Sequence, residues 1–152
     1  MTSSVARLWD RFRAINPDAP ADVPISFHFC DNQLDADLCA NLVAIGQKRA
    51  TATSVAELEL ADDPMPQVGD YAIVTDWAGQ AIAVIRTVAV EIKKFGEIDE
   101  KFARSEGEGD LTLEWWRAAH RSYYERVLSG SPHRVDAELQ IACETFEVAL
   151  KA

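Results

Sequence analysis

At 152 residues, 48% hydrophobic and 26% charged, the chain has the make-up of one globular domain able to bury a core without disulfide or metal staples. Its net charge of −10 excludes a broad basic surface of the kind that coats nucleic acid. No apolar run approaches the ~20 residues that cross a bilayer. The segment Met1 to Asp10 lacks the basic and apolar regions of an export signal. Cys30, Cys39 and Cys143 are scattered, with no C-x-x-C pair, so free thiols in a reducing, cytoplasmic compartment are the expectation.

In chain order, Ser3-Ser4 caps an amphipathic helix carrying Val5, Leu8, Trp9, Phe12 and Ile15, which Asn16-Pro17 stops. Asp18 to Pro24 is a connector, so residues 1–24 are expected as helix and linker, and residues 25–152 as the main unit. Ile25 to Cys30 alternates as a strand. Asp31 or Asn32 caps a second helix with Leu34, Leu38, Leu42 and Ile45 on one side, ended by Gly46. Arg49 to Thr53 enters a strand, and Val55 to Leu60 is compatible with a short helix.

Asp62 to Gly69 is an exposed loop. Asp70 to Asp76 and Gln80 to Val90 form a hairpin turning near Ala78-Gly79. Glu97 to Arg104 is a short helix, and Ser105 to Asp110 a flexible acidic loop. Thr112 caps a long helix from Leu113 to Leu128, Gly130 to Pro132 turn, and Leu139 to Val148 is a closing strand. Strands in the middle with helices at both ends predict an α+β fold with a curved or barrel-like sheet.

Two segments carry candidate chemistry. In Gly46-Gln47-Lys48-Arg49-Ala50-Thr51-Ala52-Thr53 a helix ends on glycine, two cations follow, then hydroxyls. Groups just beyond an element end are held yet reachable. A lysine beside a second cation can have its pKa lowered enough to act as a base. In a regular strand Lys48 and Thr51 face opposite sides, so they meet only where the chain turns between them. Local physics alone equally describes a basic helix end favoured by the macrodipole.

In Ser105-Glu106-Gly107-Glu108-Gly109-Asp110, glycines beside each glutamate suit positive φ angles or close approach to a ligand. The carboxylates there can accept hydrogen bonds, move a proton or hold a metal, or simply form a solvated turn. On the long helix, Leu113, Trp116, His120 and Tyr123/Tyr124 recur at core spacing, which makes His120 a buried hydrogen-bonded partner rather than a ligand. Arg117 and Tyr124 are candidates for a cationic and stacking wall. His28 and His133 have no companions at ligand spacing, and no resident metal site is assigned.

The order G-x-K-R-A-T-A-T, V-G-D-Y, a hairpin, F-x-x-I-D-E-K-F-A-x-x-E-G-E-G-D and W-x-x-A-H resembles the longer bacterial ASCH-domain proteins from about Phe27 to Val148, with Trp9-Asp10-Arg11-Phe12 in keeping. The resemblance implies a PUA-like β-barrel with flanking helices and a cleft at the G-x-K motif. It implies an RNA or modified-nucleoside partner, with no DNA or membrane partner. A shorter branch hydrolyses N4-acetylcytidine with a Lys, a Thr three residues later and a distant Glu, to which Lys48, Thr51 and Glu106 correspond as catalytic residues. A longer branch, closer in length and in its E-G-E-G-D motif, is described as a ribonuclease on single-stranded RNA, with Mn or Mg as a possible cofactor.

Ribonuclease action is therefore the leading expectation, with Lys48 and Arg49 on phosphate and Tyr123, Tyr124 or Ser105 as helpers. N4-acetylcytidine deacetylation and non-catalytic RNA or nucleotide binding are the alternatives. Arg49, Thr53, Glu108, Arg117 and Tyr124 are the expected substrate contacts.

Overall fold

A computed structural model describes residues 2–152. Ser3 accepts the Ala6 N–H and starts α1 (Ser4–Ile15), which turns Leu8, Trp9 and Phe12 inward. Then come β1 (Ser26–Phe27), α2 (Gln33–Ala44), β2 (Ala50–Ser54) and α3 (Val55–Ala61). β3 (Tyr71–Thr75) and β4 (Ala81–Lys94) make the hairpin, and α4 (Glu100–Glu106), α5 (Leu113–Val127) and β5 (Gln140–Lys151) complete the chain. A 3-10 turn at Phe95–Glu97 precedes α4.

The strands form one sheet in the order β1-β3-β4-β5-β2. β1 runs parallel to β3, and every other pairing is antiparallel. β4 reaches Lys94, beyond the expected strand end, because β5 pairs with it over almost its whole length. Register shifts at Val84/Ile85 and Thr87/Ala89 bend this long pair, as bulges do. The sheet curves but does not close, since no ladder joins β1 to β2.

Most expected elements form, with instructive differences. The strand expected over Ile25 to Cys30 shrinks to two residues, as only Ser26 and Phe27 find partners on β3. The ambiguous segment is helix α3, fixed by a capping box between Ser54 and Glu57. In α2 three of the four expected apolar residues are turned outward, Leu34 at 79% exposed and Leu38 and Ile45 also exposed, while Leu42 alone of them is buried. Ala36, Cys39, Ala40 and Val43 join Leu42 in the buried face, the small side chains letting the helix lie close on the sheet. Glu106 is the last residue of α4 rather than part of a loop.

Candidate functional site

The core cluster of Phe29, Cys39, Val43, Ile85 and Phe146 lies beside a cavity of about 390 Å³. Its lining joins both unpaired edges of the sheet, Phe27 of β1 and Thr51 and Thr53 of β2, with side chains from α2 and α5. It therefore occupies the place where the sheet stays open. Strand alternation explains the β2 contribution: Ala50, Ala52 and Ser54 are buried, while Thr51 and Thr53 between them are half-buried.

Lys48 lies before the strand, where its N–H still bonds the Leu42 carbonyl of α2. The chain thus turns between Lys48 and Thr51, and both line the cavity. The ammonium of Lys48, only 1% exposed, donates to Glu106 Oε2, to Glu108 Oε2 at 2.8 Å and to the Ala50 carbonyl at 2.8 Å. It also lies 4.8 Å from the Phe29 ring centroid.

The two glycines of the acidic motif make this meeting possible. Gly107 caps α4 at φ +73°, and a Cβ there would fall 2.5 Å from the Gln47 carbonyl oxygen and 2.9 Å from Lys48 Cα. Gln47 Nε2 donates to Gly107 O at 2.7 Å, and the Arg49 N–H to Ser105 O at 2.7 Å. At Gly109, φ +60°, a Cβ would overlap the Trp115 ring. The left-handed backbone anticipated for these glycines is present, but the close approach expected to a ligand is made instead to the chain itself.

His120 completes the cluster. Its Nδ1 is 2.9 Å from the Trp116 carbonyl and its Nε2 3.1 Å from Glu106 Oε1, which also accepts from Trp116 Nε1 at 3.3 Å. Both ring nitrogens face acceptors, so the doubly protonated ring satisfies both. Burial pulls the His120 pKa down, but the bond to Glu106 outweighs it and the net shift is upward. Burial alone would raise Glu106; Lys48 and then His120 hold it well below the usual carboxyl value. Glu108, 16% exposed, is raised by burial, opposed by Lys48 and supported by Glu106.

For Lys48, burial pulls the pKa down, but Glu106 and Glu108 outweigh it and hold the amine above its ordinary value. This overturns the expectation of a lysine whose pKa is lowered by a neighbouring cation. Arg49 points away instead, its Nε bonding Gly46 O at 2.9 Å. Lys48 is a cation at rest.

Of the remaining candidates, Thr53 and Glu108 join Lys48, Thr51 and Glu106 on the lining. Arg49 and Arg117 are exposed and lie outside it, Arg117 reaching toward the Gly96 and Ile98 carbonyls. Tyr124 is fully buried, its hydroxyl donating to Ala52 O at 2.7 Å. Ser105 Oγ is bonded to Lys101 O. The face of α5 turned to the cavity carries Trp115, Ala119, Tyr123 and Arg126, one position away from the Trp116–Tyr124 core stripe. Spacing alone could have revealed this second stripe. Phe29 and Cys39 reach the cavity through tertiary packing, with no motif to mark them.

Glu106, Glu108 and His120 lie close enough to share a divalent ion. Lys48, however, bonds both carboxylates, and Trp116 and Lys48 between them use both oxygens of Glu106. This trio does not fit a resident Mn or Mg while the lysine is in place.

Among the described residues, no helix is long and apolar enough to cross a membrane. No curated protein matches the sequence. Solved structures do: an ASCH domain from Lactobacillus crispatus JV V101 superposes with TM-score 0.85 and 29% identity, covering 98% of this chain and 96% of that one. Protein EF3133 from Enterococcus faecalis V583 gives 0.86 and 27%, over 95% and 87% of the two chains. A serine-to-alanine mutant of ZmASCH from Zymomonas mobilis shares the fold alone, at TM-score 0.53 and 10% identity over 84% and 68%. The ASCH domain family model matches residues 25–149, so this chain belongs to the ASCH domain family, with its PUA-like fold.

Proposed function

We propose that the chain is a hydrolase of a modified nucleoside, removing an acyl group from an exocyclic amine, with N4-acetylcytidine as the reference substrate. The observation that carries this reading is the convergence of Lys48, Thr51 and Glu106 on one cavity of about 390 Å³. That volume falls in the range of small-molecule pockets, roughly 300–1,000 Å³. Trp115, Tyr123 and Phe29 offer aromatic walls for a base.

The charge inventory supports a small neutral substrate over a polyanion. Among the described lining residues, Lys48 is held by two carboxylates, His120 by Glu106 and Arg126 by Asp31 at 2.8 Å, which leaves none to neutralise a run of phosphates. Ribonuclease action, favoured by the chain's length and its E-G-E-G-D motif, requires a phosphate clamp, and Arg49, Tyr124 and Ser105 lie outside the lining.

In this mechanism the Thr51 hydroxyl attacks the acetyl carbonyl carbon and gives its proton to Glu108, whose raised pKa brings it nearer a working proton acceptor. The Lys48 cation stabilises the carbonyl oxygen as negative charge develops. The carbon–nitrogen bond breaks as the proton passes to the departing amine, releasing cytidine. Water then hydrolyses the Thr51 ester to acetate and restores the hydroxyl. Glu106 is the positioning residue that fixes Lys48 and His120.

Incubation with N4-acetylcytidine is expected to yield cytidine and acetate one for one, and Thr51→Ala is expected to abolish product while leaving binding measurable. Saturable binding with no product from the unaltered chain would reduce the site to a binding module. Cleavage of labelled single-stranded RNA with Mn²⁺ or Mg²⁺, lost in Lys48→Ala, alongside intact N4-acetylcytidine would restore the ribonuclease reading.

A further inference from the structure

On the α2 side of the cavity, Cys30 Sγ lies 3.7 Å from Cys39 Sγ, and Cys39 Sγ lies 3.4 Å from Glu108 Oε1. All three ligand atoms lie within 4.8 Å of one another, and all three residues line the cavity. Two sulfurs bound to one tetrahedral zinc at about 2.3 Å are themselves about 3.7–3.8 Å apart, and a sulfur and a carboxylate oxygen about 3.5 Å. The thiol pair already holds the spacing that a shared metal imposes.

The Glu108 carboxylate divides its work. Oε2 accepts from Lys48, while Oε1 faces Cys39. A metal on Oε1 would leave the Lys48 bond intact, and that bond would orient the ligand as partners behind metal ligands do. Two sulfurs and one carboxylate suit a soft or borderline divalent ion such as Zn²⁺ rather than Mg²⁺ or Mn²⁺. Three protein ligands leave a fourth tetrahedral position, which the cavity makes accessible.

We propose that Cys30, Cys39 and Glu108 form a zinc site on the cavity wall, with its fourth coordination position open to the cavity. Binding converts two thiols and one carboxylate into ligands and releases two protons per zinc. The site stands on the sulfur and oxygen geometry and does not rest on the proposed reaction; zinc on Glu108 Oε1 would withdraw that carboxylate from its role as proton acceptor there. It shares Glu108 with the Glu106, Glu108 and His120 trio but takes its other two ligands, Cys30 and Cys39, from the α2 side.

The test uses the full chain, stripped with a chelator and kept reduced, titrated with Zn²⁺ alone against a chromophoric competitor, and with Co²⁺ as spectroscopic substitute. One zinc per chain, release of two protons and a thiolate-to-cobalt charge-transfer band are expected. Cys30→Ser, which alters a half-exposed residue, should weaken zinc by more than about 100-fold, beyond the usual effect of losing a group behind the ligands. Cys143→Ser should bind as the parent does, since Cys143 is buried in another cluster. Binding that survives both Cys30→Ser and Cys39→Ser in folded protein, or cobalt spectra without a thiolate band, would overturn the site. A folded Cys30→Ser variant keeps the test decisive if Cys39→Ser fails to fold.

Discussion

The two sides of the sheet are closed by opposite means. Under α1, Trp9, Phe12 and Tyr71 pack ring on ring at centroid distances of 5.2–5.5 Å beside Ile73 and Val84, and the only side-chain bond made by Trp9 among the described residues is to Pro20 O. Between β1 and β2, the chain instead buries Lys48 and Glu106 at 1% exposure, with Glu108 and His120 beside them. Apolar closure gains stability directly, whereas buried ion pairs barely repay their desolvation and become costly when one partner is lost. The second is the region on which the proposed chemistry rests.

The largest expected effect follows from breaking the buried set. Lys48→Met leaves two carboxylates without their cation and should cost about 3–5 kcal/mol in urea unfolding. It should also lower deacylation by about 100- to 1,000-fold, the usual cost of losing an oxyanion donor. Trp9→Ala should cost a similar ~3–5 kcal/mol by emptying the apolar side. Its kcat/KM should stay at the parental value below the unfolding transition, so equal destabilisation with unequal activity is the signature that separates the two regions.

Gly107→Ala comes next. The left-handed backbone costs a non-glycine residue about 1–2 kcal/mol, and the clash with Gln47 and Lys48 adds to it. Gly79→Ala shares a positive φ of +89° but meets open space, so it should show the backbone cost alone and keep activity. If the two variants behave alike, the close approach of α4 to Gln47–Lys48 does not set the site.

The pH response should also differ between the two sides. Glu106 has a lowered pKa, so its stabilisation is present above the ordinary 4.5 and is lost as pH falls toward its folded value. Glu108 is raised, so ionising it erodes stability as pH climbs above 4.5. His120 is raised above 6.5, so its contribution is complete below 6.5 and lost as pH rises through the folded value. Unfolding midpoints measured against pH should therefore fall on the alkaline side, and His120→Asn should flatten the part of that fall above 6.5. The smallest effect belongs to the exposed pair at the cavity rim: Arg126→Ala, losing its bond to Asp31, should cost about 0.2–1 kcal/mol and less in high salt.

Much of the site was legible as residues and little of it as geometry. Gly46 ending α2 and Gly107 and Gly109 on left-handed backbone follow from what glycine alone tolerates. The protonation of Lys48 could not be inferred, because the adjacent Arg49 suggested repulsion. The groups that hold Lys48 cationic, Glu106 and Glu108, are 58 and 60 positions away. On α2 the large leucines were the visible signal, yet only Leu42 of them is buried, beside Ala36, Cys39, Ala40 and Val43. Periodicity identified a stripe, but the approach distance to the sheet selected a different one.

By itself the sequence determined the helix starts at Ser3 and Thr112, one of two candidate starts for α2, the β3–β4 hairpin and the two motifs that meet at the cavity. These depend on hydrogen bonds and backbone freedom within a few residues. Tertiary structure alone decided that the sheet would stay open between β1 and β2, that Lys48 would be a buried cation, and that Cys30 and Cys39 would stand 3.7 Å apart beside Glu108. Those outcomes depend on which distant surfaces pack together, and short-range chemistry does not encode that choice.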